Sequence, residues 1–214
     1  MDQPKRITLY TDSAWISPYV FSCFVALREK GLPFDTATVA LDRGEQHLPE
    51  YRDRSLTEKV PALDDGGFWL SESMAIVEYL EDAYPPPRYP RILPAGIRER
   101  ARARQVMSWV RTDLLPLREE RPTTTMFQER ATKPLSETAA LAAQKLLRIA
   151  GELIGEGRTS LFETWSIADA DLAFMLLRLV LNGYEVPEKT RAFAEAQRAR
   201  PSMRAFFERE RPPR

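Results

Sequence analysis

The sequence predicts two unlike halves, an α/β domain over residues 1–84 and an all-helical domain over residues 95–214. Three observations carry this. Up to residue 84, short alternating strand patterns interleave with helical stripes. Prolines then crowd into residues 85–94, and every strong periodicity beyond them is helical.

The first half reads in order. Residues 6–10 alternate Ile7 and Leu9 with polar neighbours, a strand. After the turn Thr11-Asp12-Ser13, Ser17-Pro18 opens a helix, serine as N-cap and proline in the first turn. Val20, Cys23, Phe24 and Leu27 make one buried stripe, and Gly31 closes the helix as a left-handed cap. Cys23 is therefore expected to pack rather than react. Residues 34–41 favour a strand, and residues 44–56 are polar and irregular with room for a short helix. Residues 60–63 and 68–70 flank Asp65-Gly66-Gly67, a hairpin signal. Ser71 to Ser73 open a second helix with Ile76, Tyr79, Leu80 and Ala83 on one face.

Pro85-Pro86-Pro87, Pro90 and Pro94 cannot continue a helix and stiffen a linker. Beyond them the expected helices span residues 98–117, 136–154, 166–181, 187–198 and 202–209. The third is apolar nearly all round, so it belongs in the middle of a bundle. It opens with Ser166-Ile167-Ala168-Asp169, a capping box closed by aspartate instead of the usual glutamate.

Composition narrows the function. Of 214 residues, 43% are hydrophobic and 29% charged, enough for two small cores. Basic and acidic residues number 31 each, which argues against a general nucleic-acid or anionic-membrane binder. The basic run at residues 98–104 reads as a solvated helix face. Cys23 is the sole cysteine and His47 the sole histidine, so there is no intramolecular disulfide, no His pair for a metal, and no Ser-His-Asp triad without His47. No metal is expected. The opening residues are polar rather than an apolar signal segment, and no run approaches a membrane span, so a cytoplasmic location is expected.

Three landmarks then fall in order: Val60-Pro61 before the hairpin, Glu72-Ser73 at the next helix start, and Ser166-Ile167-Ala168-Asp169 in the helical half. Together they resemble the glutathione transferase family over nearly the whole chain, most closely bacterial members near the zeta and omega classes. The resemblance implies a thioredoxin-like first domain, a cis Val60-Pro61 bond, glutathione as co-substrate, and a homodimer in which the helix around Tyr79 packs on the partner's helix over residues 98–111.

It also implies a site. Backbone groups of Val60 would pair with the cysteinyl part of glutathione like an added strand. Glu72 and Ser73 lie at a helix N-terminus, where open N–H groups suit the γ-glutamyl carboxylate and Glu72 takes the amine. His47 and Lys59 are candidates for the glycine carboxylate.

Activation needs a donor to the sulfur. Lowering a thiol pKa from about 8.5 by about two units takes roughly 2.7 kcal/mol. A hydroxyl bonded to the anion supplies about 1.5–3 kcal/mol and a helix N-terminus about 0.3–1. Ser17 stands where the omega class carries cysteine before proline, and is the leading candidate. Ser13 and Tyr10 remain alternatives. Arg111, Arg118, Arg121 and Met126 either line the electrophile site or form ordinary ion pairs and packing.

The resulting expectation is an enzyme that conjugates glutathione to a small electrophile or reduces peroxides with it. Omega-type thiol transfer needs a cysteine at Ser17, and zeta-type isomerisation needs a Ser-Ser-Cys and a following arginine that this chain lacks. The competing class is a non-enzymatic binding protein on the same fold, of the stringent starvation protein type.

Overall fold

The computed structural model describes residues 6–212, so the polar opening at residues 1–5 lies outside it. The chain divides into two compact units: one runs to Ile92 and includes residues 209–212, the other is Leu93–Glu208. The first unit thus extends past the boundary expected at residue 84 and includes residues 209–212, expected in the helical domain.

The first unit is a four-stranded mixed sheet with helices. Its elements are β1 (Ile7–Asp12), α1 (Pro18–Glu29), β2 (Phe34–Val39), α2 (Pro49–Arg52), β3 (Ala62–Asp65), β4 (Phe68–Ser71) and α3 (Ser73–Ala83). Strand order is β2-β1-β3-β4, parallel between β1 and β2 and antiparallel elsewhere. Pairing Asp65 with Phe68 leaves Gly66-Gly67 as a two-residue turn. Their φ values of 60° and 96° suit glycine and match the twist of a tight hairpin. Ile7, Leu9 and Thr11 face inward, while Thr8 and Tyr10 are half-buried. α1 and α3 pack on each other and on the sheet. α1 is buried continuously from Val20 to Leu27 and not on one stripe only, and Cys23 is fully enclosed.

A buried ion pair locks the helices. Lys30 Nζ lies 2.7 Å from Glu81 Oε2, with both side chains almost completely enclosed. Lys30 also donates to the Tyr84 carbonyl at 2.9 Å, and Glu81 accepts from Ile92 N at 3.0 Å and Arg91 at 3.3 Å. The two ends of the proline-rich segment are thereby tied to α1 and α3, which explains why the first unit extends to Ile92.

The second unit is helical: α4 (Ile97–Thr112), α5 (Leu115–Glu120), α6 (Thr124–Phe127), α7 (Glu137–Leu153), α8 (Ile167–Leu181), α9 (Glu188–Ala199) and α10 (Pro201–Phe207). The single helix expected over residues 98–117 is broken in two. Pro116 lacks an N–H and its ring would strike the carbonyl of Thr112, where α4 stops. Leu114 turns the chain with φ of 61°. α8 is buried all round from Ile167 to Leu179 and packs on α4, α6, α7 and α9. Among the described residues no helix is long and apolar enough to cross a membrane.

The capping box at α8 is formed. Asp169 Oδ2 accepts from Ser166 N at 2.7 Å and Ser166 Oγ at 3.1 Å, and Oδ1 accepts from Leu161 N at 2.6 Å. Burial pushes this carboxyl up to about 6 from 3.8, against the pull of those bonds and of Arg200. The folded state therefore holds the proton more tightly than the unfolded chain. This group's contribution to stability is full below about 3.8 and is lost as pH rises through about 6. Asp169→Ala is expected to cost about 1–3 kcal/mol in urea unfolding near neutral pH, because buried N–H groups lose their acceptor. The stability advantage of wild type over Asp169→Asn should shrink between pH 4 and 6; an advantage that grows there contradicts the assignment.

Candidate functional site

Register places the first unit's chemistry at one end of its sheet. Tyr10 pairs with Ala62, and Ala62 with Ser71, forming one row across three strands. Just past that row the chain carries the loop into α1, the Val60-Pro61 approach to β3, and the start of α3. The structure thus brings Ser17, Val60, Glu72 and Ser73 to the same edge.

Ser17 is the N-cap of α1, with Pro18 in the first turn. Its Oγ accepts from Val20 N at 3.3 Å. That bond uses an acceptor lone pair and leaves the O–H proton for another partner. The preceding loop is organised by Asp12, a residue the sequence reading passed over as part of a polar turn. Its carboxylate is buried and accepts from Ile16 N at 3.0 Å and Ser17 N at 3.1 Å. The available signal was an aspartate four and five residues ahead of those amides, because short acidic side chains close loops onto nearby backbone. Ser13 lies in the turn with its N–H on the Val39 carbonyl at 3.3 Å.

Tyr10 belongs to an aromatic cluster. Its ring centre lies 4.6 Å from Trp69 and 5.7 Å from Tyr51. Burial pushes its phenol above its ordinary value, with Asp64 adding to this and Arg54 opposing it. That environment favours a packed, neutral phenol.

Val60-Pro61 is cis. Val60 precedes the sheet ladder, whose pairing starts at Ala62. At α3 the N-cap is Glu72, exposed, with φ of 70° and no side-chain cap bond to the helix. A non-glycine residue in this left-handed region is uncommon, and such residues collect at functional sites. Ser71, the other capping candidate, is instead paired with Ser55 Oγ at 3.0 Å.

The glycine-end candidates sit apart in the loops before β3. His47 Nδ1 lies 2.8 Å from Glu58 Oε2, and both side chains are substantially exposed. The Lys59 side chain is exposed, while its carbonyl accepts from Tyr51 OH at 2.6 Å. Close by, Thr57 Oγ1 and Gln46 Oε1 are buried atoms with no hydrogen-bond partner among the described residues, and polar groups of that kind suit a polar ligand.

Two of the arginines set aside for an electrophile serve the helical unit internally. Arg111 pairs with Asp171 at 2.7 Å. Arg121 is 3% exposed and donates to Tyr184 OH and the carbonyls of Glu120 and Lys133. Met126 is buried and Arg118 half-buried.

The chain matches the model of the glutathione S-transferase N-terminal domain over residues 16–83 and that of the C-terminal domain over residues 96–210. It belongs to the glutathione S-transferase family. A glutathione transferase homolog from Burkholderia, solved with bound glutathione, is 43% identical, covers 94% of this chain and 96% of its own, and superposes with a TM-score of 0.79. A maleylacetoacetate isomerase from Methylobacterium, solved with malonate and glutathione, is 27% identical over 94% of this chain and 95% of its own, with a TM-score of 0.71. A zeta-class glutathione S-transferase from Euphorbia esula is 38% identical over 55% of this chain and 51% of its own length. The chain spans about half the length of the curated relatives it matches.

For this transferase-family loop, Asp12→Ala is expected to lower stability by about 1.5–3 kcal/mol, the range for bonds to a charged group. Amide hydrogen exchange at Ile16 and Ser17 should accelerate along with it. Unchanged exchange at both amides would show that the carboxylate does not hold the loop.

Proposed function

We propose that this protein is a glutathione transferase that ionises the glutathione thiol at Ser17, for conjugation to a small electrophile or for peroxide reduction. The observation that carries the reading is the row Tyr10–Ala62–Ser71, which sets the starts of α1 and α3 and the Val60 backbone at one sheet edge. Glutathione fits that edge chemically. Its cysteinyl backbone can extend the sheet at Val60. Its γ-glutamyl carboxylate meets the N-terminal end of α3 at Ser73, and its amine meets the Glu72 carboxylate. Lys59 is the exposed cation for the glycine carboxylate, with His47 a second choice because Glu58 already holds its ring.

At the other end the thiol proton passes to solvent water, and the Ser17 O–H donates to the sulfur anion left behind. The thiolate then attacks an electrophilic carbon, and the S–C bond forms as the leaving group departs. The 27% identical isomerase neighbour supports a second reading, isomerisation at the same edge. Against it, the loop reads Ser13-Ala14-Trp15, without the cysteine that the zeta resemblance requires.

Two substitutions test the site. Glu72→Ala should weaken glutathione binding, measured by calorimetry, by about 1.5–3 kcal/mol. Ser17→Cys, treated with glutathione disulfide, should attack one sulfur, release glutathione and leave a mixed disulfide visible by mass spectrometry. Wild type should give none, because Cys23 is enclosed. Unchanged affinity in Glu72→Ala would remove the anion-end assignment, and an adduct on Ser13→Cys but not Ser17→Cys would move the activating role.

A homodimer is part of the same proposal. Two-fold pairs are the commonest soluble oligomers, and Phe68, stacked on Tyr79 at 5.1 Å, is left 50% exposed. Sedimentation should give about twice 24.6 kDa; a concentration-independent monomer would end the idea.

A further inference from the structure

The segment after α10 returns to the loop that carries Ser17. The Arg209 guanidinium lies 3.5 Å from the centre of the Trp15 ring. Arg211 Nε donates to the Trp15 carbonyl at 3.1 Å across 196 positions of sequence, and Arg211 Nη1 donates to the Arg209 carbonyl at 2.8 Å. The two arginines thus brace each other while holding the front and the backbone of one tryptophan. Burial lowers the pKa of both, that of Arg211 to about 10, with Asp12 opposing the change and Arg209 adding to it. Arg211 Nε on the Trp15 carbonyl and the Asp12 carboxylate on the Ile16 N–H hold the same peptide unit, which brings the two charges near each other.

Trp15 is a residue that needs holding. It is 4% exposed and has φ of 53°. For a bulky side chain that backbone conformation is an outlier, and it persists only where the surroundings over-determine it. Those surroundings are Phe24, edge-on at 6.0 Å, the Asp12 carbonyl on the Trp15 N–H at 3.1 Å, and the two arginines. The next two amides, Ile16 and Ser17, are the pair capped by the Asp12 carboxylate. The direction in which the chain leaves Trp15 therefore sets where Ser17 stands.

Electrostatics adds a second reason for the contact. The Asp12 carboxylate bonds the Ser17 amide, so it is a like charge close to any thiolate stabilised by the Ser17 hydroxyl. Like charges a few ångströms apart disfavour ionisation by amounts comparable to what a hydroxyl donor contributes. A guanidinium bonded to the Trp15 carbonyl, one peptide unit from the Asp12 carboxylate, offsets that repulsion.

We propose that Arg209 and Arg211 form a strap that fixes Trp15 and so positions the Ser17 hydroxyl, with Arg211 also neutralising Asp12 beside the thiolate. The proposal rests on the reading of Ser17 as the activating residue. Both arginines are positioning residues that act through the loop.

The test follows the ultraviolet absorbance of the glutathione thiolate on wild type, Arg211→Met, Arg211→Lys and Arg209→Met across pH, together with kcat, KM and melting temperature. In Arg211→Met the bound thiol should titrate closer to the value of about 8.5 of a free thiol. Its kcat should fall by between about tenfold and a hundredfold, the scale of a slight misplacement of a catalytic group, while KM for glutathione holds. Arg211→Lys keeps a positive charge beside the Trp15–Ile16 peptide and should restore much of the titration but less of kcat. Arg209→Met should lower kcat with a smaller change in titration. A wild-type titration and kcat in Arg211→Met would overturn the strap. A parallel loss of melting temperature and glutathione affinity in every variant, including Arg211→Lys, would also overturn it, because the contact would then be structural only. A wild type that shows no thiolate absorbance would instead remove the Ser17 reading on which the strap stands.

Discussion

The antiparallel pairing of β3 with β1 is the constraint on which the first unit depends. Because β3 inserts beside β1, the residues entering it arrive at the same sheet edge where β1 ends. The hairpin then returns β4 to that edge, and α3 starts there as well. A parallel β3 would have delivered Val60-Pro61 to the opposite end, away from Ser17. Two helix N-termini and one stretch of backbone outside the ladder thus converge for topological reasons, before any side chain is chosen. Inner-face residues Ile7, Leu9 and Leu63 fix the register, since a slip by one residue would turn them outward.

On that scaffold the proposed thiol activation is a balance of charges. A helix N-terminus and a serine hydroxyl together supply roughly the 2.7 kcal/mol that two units of thiol acidity require. The margin is small. Asp12, which shapes the loop by binding Ile16 N and Ser17 N, works against it with a buried negative charge. The loop therefore gains its geometry from a group that opposes its chemistry, and a cation from elsewhere in the chain is the natural correction. At the far end of α1 the same logic is fully internal, where Lys30 and Glu81 neutralise each other out of water.

Much of the fold was legible in sequence because it rests on local signals. Apolar periodicity marked β1, α1, α3 and α8, and Gly66-Gly67 marked the hairpin. Ser17 and Ser166 marked helix starts, and the proline cluster marked the change of architecture. The break in the expected helix over residues 98–117 has a local signal too, since Pro116 forbids a helix running through Thr112. Other features were hidden because their partners are distant in sequence. Lys30 meets Glu81 across 51 positions, and Arg211 meets Trp15 across 196. Nothing in Arg209-Glu210-Arg211 distinguishes a segment that returns to Trp15 from a solvated stretch. The left-handed backbone at Trp15 and Glu72 was equally silent, because neither is a glycine or asparagine that advertises such a turn. Within the proposed site, Ser17, Val60, Glu72 and Ser73 stand out in sequence as residue types at a spacing, and Asp12 does not, because its bonds appear only once the loop closes on it.

The most direct measurement of the central claim is the position of the glutathione sulfur in a crystal structure of the complex. The sulfur is expected within hydrogen-bonding distance of Ser17 Oγ, with the cysteinyl backbone paired to Val60 and the γ-glutamyl carboxylate at the N-terminus of α3. A sulfur bonded to the hydroxyl of Ser13 or Tyr10, or a peptide bound away from the Tyr10–Ala62–Ser71 edge, would contradict it.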